Sequence, residues 1–126
     1  MRSYLVAAAC LSFALAVIHS VMGEVLIFRK LRQYKADTSK HVAALGGRQV
    51  GILWATWHLA SVLACSLGFL LWSLAATAPT STSRQQLLAM ALGYLASSVL
   101  VLVGTRCTHP GWVVLGLISF CTFMGR

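Results

Sequence analysis

Ionisable side chains are scarce in this chain, and three of them lie inside apolar runs: His19, Glu24 and His58. Arg106 and His109 stand at the edges of such runs. A charge held in an apolar stretch is expensive, which makes each of these residues a functional candidate. Neutral imidazole and ionised carboxylate are ligands for zinc, iron or copper, and a bound cation would offset the charge of Glu24. The expected reading is a transition-metal centre with His19, His58 and Glu24 as ligands and His109 at its periphery. Three alternatives use the same residues. A haem b could be held axially by His19 and His58, with Arg106 or Arg48 meeting its propionates. Glu24 could accept protons on a proton or solute path. Or each histidine could simply bond a carbonyl or a serine and pin helix packing.

Other chemistry finds less support. No serine has an evident His–Asp partner, there is no paired-carboxylate site, and no glycine loop is suited to cradle phosphate. The four cysteines, Cys10, Cys65, Cys107 and Cys121, form no CxxC pair. Cys107 stands two residues before His109 but reads as a free thiol. Asp37, the second of only two acidic residues, sits among loop lysines as a solvated partner, and His41 belongs to the same loop without a role.

The elements that must position these residues are legible from hydropathy. Of 126 residues, 59% are hydrophobic and 10% charged, with a mean hydropathy of +0.82. A soluble chain of this size carries about a quarter charged residues. The composition therefore excludes a soluble domain, a disordered chain and a disulfide-rich secreted domain. Four apolar runs are expected to span a membrane, at 4–28, 50–76, 87–103 and 110–125. The first is roughly 25 residues, enough to cross a hydrocarbon core of about 30 Å; it is too long for the apolar part of a cleaved signal peptide. The fourth, at roughly 24 Å by helical rise, is short. The stretch 77–83 and the segment 104–110 read as turns, and Pro110 suits the start of a helix.

The fold expected is thus an all-α, single-domain bundle of four transmembrane helices with both termini outside. Six of the ten basic residues, Arg29, Lys30, Arg32, Lys35, Lys40 and Arg48, lie in the first loop, which the positive-inside rule puts in the cytoplasm. Arg2, Arg84 and Arg126 fall on the other side as single charges. A bacterial inner (plasma) membrane is the expected location, with the lipid bilayer as partner, no nucleic acid, and room for a homo-oligomer or a larger membrane complex. The net charge of +8 is a topology signal rather than a nucleic-acid footprint.

Depth arithmetic joins the candidate residues. Counted from residue 28, His19 lies roughly 13 Å deep and Glu24 about 6 Å; counted from residue 50, His58 lies roughly 12 Å deep. The first two spans are antiparallel, so the two histidines should share a level. Facing is less tidy: His19 and Glu24 are five apart, about 140° on an ideal helix, so Glu24 with Ser20 is expected to face the fourth span unless Gly23 permits a local bend. Small residues four apart, Ala60, Ala64 and Gly68 in the second span and Ala89, Gly93 and Ser97 in the third, are expected to line helix contacts inside the bundle.

Overall fold

The computed structural model describes residues 2–37, 47–78 and 80–126, all in helices or short turns without a strand among them. Lys40, His41 and Pro79, which the sequence assigns to loops, lie outside the described residues. The helices are α1 (Arg2–Met22), a six-residue π-helical turn (Gly23–Phe28), α2 (Arg29–Asp37), α3 (Gly47–Ala76), α4 (Ser81–Gly104) and α5 (Gly111–Met124). Three stretches are long and apolar enough to cross a membrane: Arg2–Gln33, Gly47–Ala76 and Ser81–Gly104. The fourth apolar helix, α5, has 14 residues.

The helices overrun the apolar spans because backbone hydrogen bonding does not stop where hydrophobicity does. α1 continues through the π turn into the basic α2, and α3 begins ahead of its apolar stretch, at Gly47. Ser81, Thr82 and Ser83, which read as turn residues, form the first turn of α4. Thr80 explains this: its side chain accepts from the Ser83 amide at 3.0 Å while the Ser83 hydroxyl receives the Thr80 amide at 2.7 Å, a reciprocal cap that starts a helix. α4 ends on Arg106 and Cys107, both in the left-handed region with φ of 50° and 65°. There the Cys107 amide reaches back to the Leu102 carbonyl at 2.9 Å, closing the helix end.

α1 packs along α3 and α5, α5 packs along α4, and the consecutive pair α3 and α4 touches little. Arg2 and Arg126 lie at the same end as the Thr77 turn. The apolar core occupies that half of the bundle: Leu5, Ala8 and Ala9 from α1, Leu71 and Ala75 from α3, Leu87 and Tyr94 from α4, and Ile118 from α5. Buried hydroxyls tie the helices across it. Ser12 donates its single proton to the Ala64 carbonyl at 2.8 Å, so the 2.7 Å contact with Tyr94 has the phenol as donor. Ser119 donates to the Ala91 carbonyl and Ser98 to the Trp112 carbonyl, each at 2.7 Å.

Between 22 and 28% of each long apolar window is buried inside the molecule, so most apolar side chains face outward, as in a bundle solvated by lipid. The small-residue reading needs correcting. Gly68 is buried against Ser12 and Phe13, but Ala60 is exposed, and in α4 Ala89, Gly93 and Ser97 all face outward, with open space beside Gly93. The inward face of α4 is Leu87, Ala91, Tyr94 and Ser98 instead, offset so that phenol and hydroxyl meet their partners.

Candidate functional site

The half of the bundle away from the apolar core holds His19, Glu24 and His58. Its construction begins at Gly23, which is buried where α1 meets α3; a Cβ there would collide with the indole of Trp57. Glycine lets the tryptophan lie against the backbone. The indole N–H donates to the His19 carbonyl at 2.9 Å, and the indole stacks on the His19 ring with centroids 4.2 Å apart and planes within 5°. This accounts for a tryptophan well inside the span rather than in an interfacial belt.

From Gly23 the helix widens into the π turn, where the Arg29 amide reaches the Glu24 carbonyl five residues back. π turns are rare and cluster at functional sites. This one buries Phe28 completely, with its ring 6.0 Å from Trp57 and 6.1 Å from His58. It also follows directly on the face shared by Ser20 and Glu24, four residues apart. That face turns to α3, not to α5 as the sequence suggested. Ser20 Oγ lies 2.6 Å from His58 Nδ1. Glu24 Oε2 accepts from the Trp54 indole N–H at 3.1 Å and stands 3.9 Å from His58 Nε2, while Oε1 is paired with the Arg32 guanidinium. The Trp54 ring meets His58 edge-on at 4.6 Å.

Ser20, His58 and Glu24 therefore form a chain through one imidazole. With the ring proton on Nε2, Ser20 donates to Nδ1 and Nε2 stands 3.9 Å from the carboxylate. The Nε2 atom is buried and has no hydrogen-bond partner. The order resembles a nucleophilic serine site, which the sequence did not offer, but the Nε2–Glu24 separation exceeds a hydrogen bond. Glu24 and Arg32 are half-exposed, at 41 and 53%, so the outer side of the pair is not covered by the rest of the bundle.

The expected ligands divide. His58 and Glu24 come together. His19 is at the same level, opposite Trp57, but its ring is engaged by the indole. His109 is exposed at the start of α5, where its Nδ1 accepts the Gly111 amide at 3.0 Å and caps the helix, so that lone pair is spent. Among the described residues no three His, Cys, Asp or Glu side chains converge as a metal-ligand set. Axial haem ligation uses the in-plane nitrogen of each imidazole; the Trp57 indole lies against the face of the His19 ring, and Ser20 holds one of the two ring nitrogens of His58.

Three residues that complete the site went unassigned in the sequence: Trp54, Trp57 and Arg32. The signal for the tryptophans was their depth in the span. Arg32 carried none, being one of six loop cations. Compared with protein-family models, curated proteins and solved structures, the chain matches none.

Proposed function

We propose that this chain is a small integral membrane protein whose Glu24–His58 pair is a proton-accepting centre, an element of a proton or solute path in the cytoplasmic half of a four-helix bundle. The observation that carries the reading is the buried, partnerless Nε2 of His58 facing the Glu24 carboxylate at 3.9 Å, with Ser20 on the other ring nitrogen. A histidine between a hydroxyl and a carboxylate can take a proton on one nitrogen and release it from the other. Arg32 and the Trp54 N–H both engage the Glu24 carboxylate, so the pair has a counter-charge within the chain itself. The basic residues beside the site support a cytoplasmic first loop in a bacterial plasma membrane.

The test is proton entry into proteoliposomes containing a trapped pH-sensitive dye, driven by a potassium diffusion potential. Wild-type protein should acidify the lumen faster than protein-free vesicles. Glu24→Gln and His58→Gln, verified as folded by circular dichroism, should fall to the protein-free rate. Wild-type flux equal to that of empty vesicles overturns the reading.

A metal centre is the second reading, favoured by the same pair. Metal–nitrogen and metal–carboxylate bonds of about 2.0–2.2 Å reach across a 3.9 Å gap, so His58 and Glu24 fit as two donors to one zinc, iron or copper ion. Elemental analysis of gently purified protein decides it. Stoichiometric metal lost in both His58→Ala and Glu24→Gln supports this reading, and metal-free wild type removes it.

A further inference from the structure

The three arginines that read as isolated charges in the sequence are not isolated in the fold. Arg2 at the start of α1, Arg84 in the first turn of α4 and Arg126 after α5 all line one cavity of about 310 Å³ at the end of the bundle away from Glu24. Its inner wall is apolar, with Leu5, Leu74 and Leu87 from three helices. We propose that this cavity binds an anionic phospholipid, the guanidinium groups holding the phosphodiester and the leucines meeting the first carbons of an acyl chain.

Charge supports an anionic occupant. Glu24 lies 22 residues from Arg2, roughly 33 Å along the helix, so no acidic side chain compensates the arginines. Their remaining capacity suits phosphate. Arg2 spends two N–H groups on the last carbonyls of α3, with Nε 2.9 Å from Ala75 O and an Nη 3.2 Å from Ala76 O, and has three left. The Arg126 guanidinium rests on the Phe123 ring at 4.2 Å. Arg84 forms no side-chain hydrogen bond or ion pair among the described residues. Guanidinium forks match phosphate oxygens pairwise.

Depth supports a lipid over a free anion. Tyr4 and Trp72, both about half-exposed, lie at this end of α1 and α3, where amphipathic rings mark the headgroup level. A headgroup at that level meets the arginines while its chains run down the leucines. The inference rests on nothing in the Glu24–His58 pair.

The experiment is thermal unfolding of the full chain in dodecyl maltoside, followed by tryptophan fluorescence, with dioctanoyl phosphatidylglycerol, dioctanoyl phosphatidylcholine or inorganic phosphate titrated in. Phosphatidylglycerol should raise the midpoint saturably while the other two do not. Arg84→Gln and Arg126→Gln leave the α3 cap intact and should each weaken the apparent affinity about tenfold, the size of one lost charge-assisted contact. Arg29→Gln and Arg106→Gln, at the opposite end, should leave it unchanged. Equal stabilisation by inorganic phosphate makes the site a free-anion site and overturns the lipid assignment. Equal weakening by the opposite-end variants makes the effect general charge and overturns the site.

Discussion

Tyr94 and Ser12 show how a hydroxyl pair can hold a bundle whose helices gain nothing from being apolar in lipid. Lipid tails are as apolar as leucine, so association depends on packing and interhelical hydrogen bonds. The buried phenol donates to Ser12, which donates to the Ala64 carbonyl, linking α4, α1 and α3. Tyr94→Phe keeps the ring and removes the donor. It should destabilise the protein by about 0.6 to 1.7 kcal/mol, measured by reversible unfolding in mixed detergent micelles. Arg106 presents the opposite case. Its φ of 50° suits glycine better than a side chain bearing Cβ. Arg106→Gly should therefore stabilise by about 0.5 to 1 kcal/mol in the same assay; a loss instead would mean that the guanidinium makes a contact worth more than the backbone relief.

At the scale of elements, the π turn is the feature on which the site depends. It begins at a glycine whose missing side chain is occupied by Trp57, and it leaves Phe28 and Glu24 both turned to α3. Gly23→Ala should push the indole off His19 and cost about 1 to 3 kcal/mol, the range for overpacking a close contact. Loss of Trp57 fluorescence anisotropy, in a variant with Trp57 as the sole tryptophan, would report the displacement. Gly93 is the control: open space surrounds it, so Gly93→Ala should be neutral or stabilise by up to about 1 kcal/mol through helix propensity. A cost at Gly93 matching that at Gly23 would show that the outward small-residue face of α4 is covered by another chain.

The whole molecule keeps two sets of residues apart along its length. The half containing Arg2 and Arg126 carries the apolar core and the arginine-lined cavity; the other half carries Glu24, His58 and the basic α2. Most of the apolar packing lies in the other half, so Glu24→Gln and His58→Gln should each cost no more than one interhelical hydrogen bond, about 0.6 to 1.7 kcal/mol, while abolishing the proposed proton flux. The proposed orientation predicts alkaline phosphatase fused after Thr77 to be active in the periplasm and the same reporter fused after Gly47 to be inactive. The reverse pattern would move the site to the outer half of the membrane without changing its geometry.

By itself the sequence determined the helical class, the apolar spans and the residues worth watching. Hydropathy is summed over some twenty residues at a time, and an ionisable group in such a run stands out whatever its neighbours. Even the shared level of His19 and His58 followed from counting, because helical rise is fixed: Trp57 stacks on the first, and Ser20 bonds the second. What counting along one helix leaves open is azimuth. On an ideal helix Glu24 pointed towards α5; only the π turn and the packing of α1 on α3, with Trp57 seated on Gly23, turned it to His58, while the same indole took up the face of His19. The same limit hid the arginine cavity. Arg2, Arg84 and Arg126 are far apart in sequence, and only the meeting of three helix ends gives their charges one address.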